Sequence, residues 1–366
     1  MTGPAPKPWI DAISPYVPGR SSGDDGRKLV KLSANENPLG TGSKAQDAYL
    51  AAKGTLNLYP DPGATILREA IAAKFDLDPS RVIYGTGSDE ILHLAAGAFA
   101  GPGDEVLFVR YGFSVYPIAA RRVGAEPIEA DDRNYATDVD TLLARVTGKT
   151  RVIFIANPNN PTGTYSGPGD IARLHAGIPA DCLLVIDQAY SEYLAPEEDD
   201  GGLALAREAT NVIITRTFSK IHGLAAERIG WGYGPAPVIA AMHKIRAPFN
   251  VTTAGQLAAV AAIQDDDFVS KSREHNLKWL RWFEAEIAGL GNFGLRAVPS
   301  KANFSLVLFE GRVTAEEAYK HLMDKGYIVR WLPGQRLAHG LRITIGQEED
   351  MRAIAEALRE LCEAAR

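Results

Sequence analysis

Short runs of Val, Ile and Leu alternate along the chain with segments whose apolar residues recur every three or four positions. The runs EVLFV (105–109), AEPIEA (125–130), RVIFIA (151–156), CLLVID (182–187) and NVIITR (211–216) read as strands, as does 81–84. ATILREAIAAKF, starting at residue 64 after Asp61-Pro62-Gly63, reads as an amphipathic helix, and so do FSVYPIAARRV and DVDTLLARV. Ser88-Asp89-Glu90 supplies a capping residue and two first-turn acids for another helix, which Gly101 closes. Strands that are apolar throughout are buried on both faces, which predicts a mostly parallel sheet covered by helices. The pattern changes after a long helical stretch at 265–290. A strand (302–309), a helix (314–325), short strands (327–330, 341–345) and a terminal helix (348–364) then describe a smaller α+β unit. The predicted division is an N-terminal arm with part of the small domain (1–39), a large α/β domain (40–265) and a small C-terminal domain (266–366).

Composition narrows the function classes. The chain has 366 residues, 46% hydrophobic, so a large core needs no disulfide or metal support. Its 39 basic and 45 acidic residues leave a net charge of −6, which argues against a nucleic-acid partner. Cys182 and Cys362 are expected as idle thiols in a reducing compartment. No apolar run approaches the ~20 residues of a membrane span, and prolines interrupt the N-terminus where a signal peptide needs its apolar segment. A cytoplasmic protein is expected. Apart from His222, the histidines (His93, His175, His243, His275, His321, His339) show no metal-ligand spacing. The acidic run Glu197–Gly202 reads as a solvated turn.

In open parallel sheets ligands bind beyond the carboxyl ends of the strands, and polar residues concentrate there. Asn157-Pro158-Asn159-Asn160-Pro161-Thr162-Gly163 follows RVIFIA, with a backbone stiffened by two prolines. Asp187 ends CLLVID, where a buried acid is costly unless a cation meets it. Thr217, Ser219, Lys220 and Arg228 follow NVIITR; hydroxyls and Arg suit a phosphate, and a lysine among cations becomes nucleophilic. Gly85-Thr86-Gly87-Ser88 turns into a helix N-terminus, a ready anion site. Glu90 stands where a dinucleotide fingerprint needs its last glycine, which weakens a dehydrogenase reading. One phosphate, one cationic ring nitrogen and one imine-forming lysine are together the requirements of pyridoxal phosphate.

This set resembles the fold type I pyridoxal-phosphate aminotransferases, specifically the histidinol-phosphate aminotransferase group. The likeness rests on Leu32-Ser33-Ala34-Asn35-Glu36-Asn37-Pro38, Tyr59-Pro60-Asp61-Pro62, GTGSDE, NPNNPTG, DQAY, RTFSK and Leu341-Arg342-Ile343-Thr344-Ile345-Gly346. The resemblance implies that Lys220 holds the cofactor and moves a proton between the substrate Cα and the cofactor C4′. Asp187 would meet the pyridinium nitrogen, and Asn160 and Tyr190 the ring hydroxyl oxygen. Gly87, Ser88, Asp89, Thr217, Ser219 and Arg228 would surround the phosphate, and Phe113 would stack on the ring. Arg342 would clamp the substrate carboxylate or its equivalent, a bidentate task suited to arginine. Tyr16, Asn37, Asn160 and Arg330 complete the implied substrate set, Arg330 facing a substrate phosphate; Asn303 is a further candidate. Tyr59 would reach the neighbouring subunit's cofactor, so a homodimer is implied. The implied reaction converts L-histidinol phosphate and 2-oxoglutarate to imidazole acetol phosphate and L-glutamate. Aromatic amino-acid transamination and threonine-phosphate decarboxylation are the alternatives. The chain departs from the family pattern at Tyr111-Gly112, Gln188, Ile221-His222 and Ala226-Glu227. Gln188 replaces a usual Glu.

Overall fold

The apolar runs assemble into one large sheet, and the C-terminal third builds a second, smaller one. The computed structural model describes residues 3–15, 26 and 28–365. A short strand β1 (Val30–Lys31) precedes β2 (Val82–Gly85), β3 (Glu105–Val109), β4 (Glu126–Ala130), β5 (Thr150–Ala156), β6 (Leu183–Asp187), β7 (Val212–Thr217) and β8 (Gly230–Tyr233). The last seven form the large sheet in the order β2-β8-β7-β6-β5-β3-β4. Only β8 runs against its neighbours, with Gly85 opposite Gly230 on one side and Thr217 opposite Gly230 on the other. The other contacts are parallel. β6 is buried at every position, as a central parallel strand covered on both faces must be.

The smaller sheet contains β9 (Leu295–Val298), β10 (Phe304–Phe309), β12 (Arg330–Leu332) and β13 (Leu337–Thr344), while β11 (Tyr327–Ile328) lies between β10 and β12 in sequence. Its order is β12-β13-β10-β9, all antiparallel. β1 pairs in parallel with β11 as a separate two-stranded ladder, and Thr344 N at the end of β13 donates to the Leu32 carbonyl (2.9 Å), which ties the N-terminal segment to this sheet. Helices Asp266–Gly289, Ala315–Asp324 and Glu348–Ala364 cover it. The helix Asp266–Gly289 buries Trp279, Leu280 and Phe283 in the same cluster as Met351 and Leu358 of the terminal helix, and Trp279 meets Trp282 edge-on at 5.4 Å. Among the described residues no helix is long and apolar enough to cross a membrane. Cys182 and Cys362 are free and buried.

Several expected details differ. The helix after the glycine turn spans Ser88–Phe99, with Gly87 rather than Ser88 at its N-cap and no side-chain cap. Glu90 instead reaches back to accept from Thr86 N at 2.6 Å and Thr86 Oγ1 at 2.9 Å. The helix therefore starts without a side chain occupying its first N–H groups. The acidic run is not uniformly solvated: Asp200 is 1% exposed and accepts from Asn157 Nδ2 (3.1 Å), Gln188 Nε2 (2.6 Å) and Gly202 N (2.8 Å). Its neighbour Glu198 pairs with Lys301 at 2.5 Å.

Candidate active site

The carboxyl ends of β5, β6 and β7 open into a cleft of about 180 Å³, roofed by residues 33–35 and by Arg330 and Arg342 of the smaller sheet. Of the residues singled out from the sequence, Ser88, Asp89, Phe113, Asn160, Asp187, Tyr190, Thr217, Ser219, Lys220, Arg228, Arg330 and Arg342 line it.

Each is held by its local structure. In the turn after β5, Asn157 bonds Ser166 through both its amide ends (2.8 Å each), and Asn159 Nδ2 donates to the Tyr111 carbonyl at 2.9 Å. Those two side chains fix the turn and leave Asn160 to face the cleft, where its Oδ1 accepts from Arg342 Nη1 at 2.5 Å. Lys220, just past β7, donates from Nζ to the Ala34 carbonyl at 3.0 Å. Burial removes water from its ammonium and the Arg342 guanidinium repels it, so its pKa falls to about 8.

Asp187 is 4% exposed and accepts from Thr215 Oγ1 at 3.1 Å and Tyr116 Oη at 3.2 Å. It forms no ion pair among the described residues. Burial pushes its carboxyl up to about 6, against the pull of the Thr215 hydroxyl. Tyr116 stacks on Phe154 at 4.9 Å and meets Phe113 edge-on at 5.9 Å. At the other end, Arg228 Nη1 donates to Ser219 Oγ (3.1 Å), and Nη2 lies 3.6 Å from Asp89. A Cβ on Gly87 would sit 2.6 Å from Arg228 Nη2, so only glycine lets the guanidinium reach the helix start. Ser219, Arg228 and the uncapped N-terminus at Ser88–Asp89 thus surround one anion-sized space.

The structure does not bring every candidate together. Asn37 donates to the Ile221 carbonyl (2.8 Å) and Ser272 Oγ (3.0 Å), so its amide ties the N-terminal segment to the protein and stays out of the cleft. Asn303 is 1% exposed and donates to the Asn35 carbonyl at 3.0 Å, behind the site. Tyr59 is 83% exposed, beside Phe249 at 4.7 Å, away from its own chain's cleft. Tyr16 lies outside the described residues. Residues not singled out also enter: Asn35, Thr215 and Tyr116 through their bonds to site residues, and Ser33, Ala34 and Gln335 as lining. Gln335 follows no strand that the sequence reading resolved, and Tyr116 reads as helix packing. The departure at Gln188 has a local cause. Its Oε1 accepts from Arg216 Nε (3.0 Å) while its Nε2 donates to Asp200 (2.6 Å), and a glutamate there would set two carboxylates together.

Fold and cleft are those of an aminotransferase: the family model for aminotransferase class I and II matches residues 27–358, and the chain belongs to that family. The histidinol-phosphate aminotransferase of Sphingopyxis alaskensis is 66% identical over 357 residues, 97% of this chain and 96% of that protein. The protein of the same name from Zymomonas mobilis is 64% identical, over 97% and 96%. Among solved structures, histidinol-phosphate aminotransferase from Sinorhizobium meliloti in complex with pyridoxal-5′-phosphate superposes with a TM-score of 0.87 at 27% identity, covering 98% of both chains.

Proposed function

We propose that this chain is a pyridoxal-phosphate-dependent aminotransferase that transfers the amino group of L-histidinol phosphate to 2-oxoglutarate. The observation that carries the reading is a buried acid without an ion pair among the described residues, Asp187, in one cleft with an amine whose pKa is lowered to about 8. A cationic ring nitrogen would neutralise the first, and an aldehyde would take the second. Ser219, Thr217, Arg228 and the N–H groups at Ser88–Asp89 would hold the cofactor phosphate. Tyr190 and Asn160 would bind the ring oxygen, and Phe113 would cover a ring face. When bound, pyridoxal phosphate supplies an electron sink for charge released at the substrate Cα. Lys220, freed from the cofactor, would take the proton from that carbon and return it at C4′. Arg342 would orient the substrate at the position a carboxylate takes in the 2-oxo acid. Arg330, lining the same cleft, would pair with the substrate phosphate.

The relatives of the same name at 66% and 64% identity support this substrate. The reading includes a cytoplasmic homodimer in which Tyr59 crosses to the partner's site. It keeps an N-terminal arm with part of the small domain at 1–39, a large domain at 40–265 and a small C-terminal domain at 266–366. The exposure of Leu56 (81%), Leu58 (63%) and Tyr59 (83%) supports the dimer, since bare apolar side chains on one segment mark a contact surface.

The test uses 2-oxoglutarate as acceptor and glutamate release as readout. L-Histidinol phosphate should be a far better donor than phenylalanine or tyrosine. Arg330→Ala should lower kcat/KM for histidinol phosphate by about tenfold to a hundredfold, the worth of a hydrogen-bonded charge pair, and leave tyrosine within a few-fold. Equal losses for both donors would remove Arg330 from this role. Carbon dioxide release without glutamate would overturn transfer itself.

A further inference from the structure

Three consecutive residues of the N-terminal segment contact three different side chains of the cleft. The Ser33 carbonyl accepts from Arg342 Nη2 at 2.8 Å, and the Ala34 carbonyl accepts from Lys220 Nζ at 3.0 Å. Asn35 Nδ2 donates to Tyr190 Oη at 2.8 Å. Asn35 is 1% exposed and held from every side. Its φ of 58° lies in the left-handed region, which asparagine tolerates better than most residues. Its N–H donates to Thr344 Oγ1 (3.0 Å), its Oδ1 accepts from the same hydroxyl (3.2 Å), and its carbonyl accepts from Asn303 Nδ2 (3.0 Å). The Thr344 oxygen, having accepted the Asn35 N–H, gives its own hydrogen to Oδ1. That leaves the NH2 end of the amide facing Tyr190.

A phenol oxygen that accepts from an amide points its own proton elsewhere, and the donated bond makes that proton a stronger donor. Tyr190 lines the cleft, which places its hydroxyl where that proton can be given to a bound group. We propose that Asn35 is a positioning residue: it fixes Tyr190 as a hydrogen-bond donor into the cleft and, through Thr344 and Asn303, makes that orientation depend on the seating of the smaller sheet. Thr344 ends β13 and Asn303 precedes β10, and β10 and β13 are paired at Phe304 and Thr344. A shift of that sheet would move the amide and release the phenol. This inference rests on the coenzyme reading above, because the donor's target is the ring oxygen of pyridoxal phosphate.

Asn35→Asp keeps the size and tolerates the backbone, but presents an acceptor where the NH2 stood. Tyr190 then donates to residue 35 and its proton leaves the cleft. Titrating the visible absorption of the holoenzyme should show the midpoint move up by about one unit, since the ring oxygen loses a donor that favours its anion. The new carboxylate also acts through space, so the same substitution is made in Tyr190→Phe, where that part alone survives. A difference between the two backgrounds of about half a unit or more supports the proposal, and identical shifts overturn it. Asn35→Gly, which adopts the same backbone and carries no charge, should shift the midpoint upward in the Tyr190 background only. In coenzyme-free protein, the phenol that Tyr190→Phe removes from the ultraviolet titration should ionise at higher pH in Asn35→Asp than in wild type. An unchanged phenol there also overturns the proposal. Absence of any coenzyme chromophore in the wild type would instead sink the coenzyme reading, and the phenol titration would still judge Asn35.

Discussion

Lys220 and Asp187 share a cleft and leave their ordinary protonation ranges in opposite directions for one reason, the loss of water around a charge. An ordinary lysine titrates near 10.4, so only a few in ten thousand are neutral at pH 7; an amine at about 8 is neutral in roughly one molecule in ten. The neutral form attacks an aldehyde, and its share grows with pH until the amine is fully deprotonated. In coenzyme-free protein, the initial rate of borohydride-trapped adduct formation with pyridoxal phosphate should therefore climb through about pH 8 and level off. A rate still climbing near pH 10 would show that the cleft does not depress this amine. Lys220 and Asp187 were legible because each follows an apolar strand at the end where open sheets bind ligands. Asn35 stands in the stretch Leu32–Pro38 with no role legible there, because its role depends on a left-handed backbone and on Tyr190 and Thr344, 155 and 309 positions away. Asp200 was hidden by Glu197 and Asp199, which do face solvent.

The strand β8, GWGY, carries two glycines where strands usually carry branched residues, so its pattern gives no strand signal. The reason lies across the sheet: a Cβ on Gly230 would stand 2.2 Å from Ser88 N and 2.4 Å from the Gly87 carbonyl carbon. Close packing of β8 against the turn is what sets the helix start beside Arg228. Gly230→Ala should cost about 1–3 kcal/mol in urea unfolding and weaken pyridoxal-phosphate binding at the same time. Full stability with unchanged affinity would mean that the turn can retreat without consequence. Several helices carry no prediction from the sequence, Pro168–Ala176, Gly202–Glu208 and Ala236–Ile245 among them, and two more lack an apolar stripe altogether. Thr253–Ile263 is apolar almost all round and buried, and Ser43–Ala51 buries only Ala45, so neither shows an apolar stripe. The predicted helices and the continuous Val/Ile/Leu strands lie within a few residues of their observed ends, because there the burial pattern is written in the side chains themselves.

At the scale of the molecule, the exposed side chains of Leu56, Leu58 and Tyr59 are the surface that the proposed dimer would cover. The chain should run in sedimentation at about twice its 39.4 kDa, and Leu56→Glu with Leu58→Glu should return it to one copy. Tyr59→Phe should keep the larger mass but weaken coenzyme binding several-fold, by loss of one hydrogen bond to a phosphate. Coenzyme affinity untouched by Tyr59→Phe would remove the crossing tyrosine. The two-sheet architecture was readable from the change in periodicity near residue 265. The path of residues 30–37 was not, since VKLSANEN carries no periodic signal, and its seat is chosen by the pairing of β1 with β11. That path makes the protein hard to dissect. A fragment beginning at residue 40 would retain Lys220 and Tyr190 and lose the carbonyl and the amide that steady them. The cleft is therefore not severable along the seam that the fold suggests, and an excised large domain would inherit its reactive groups without their alignment.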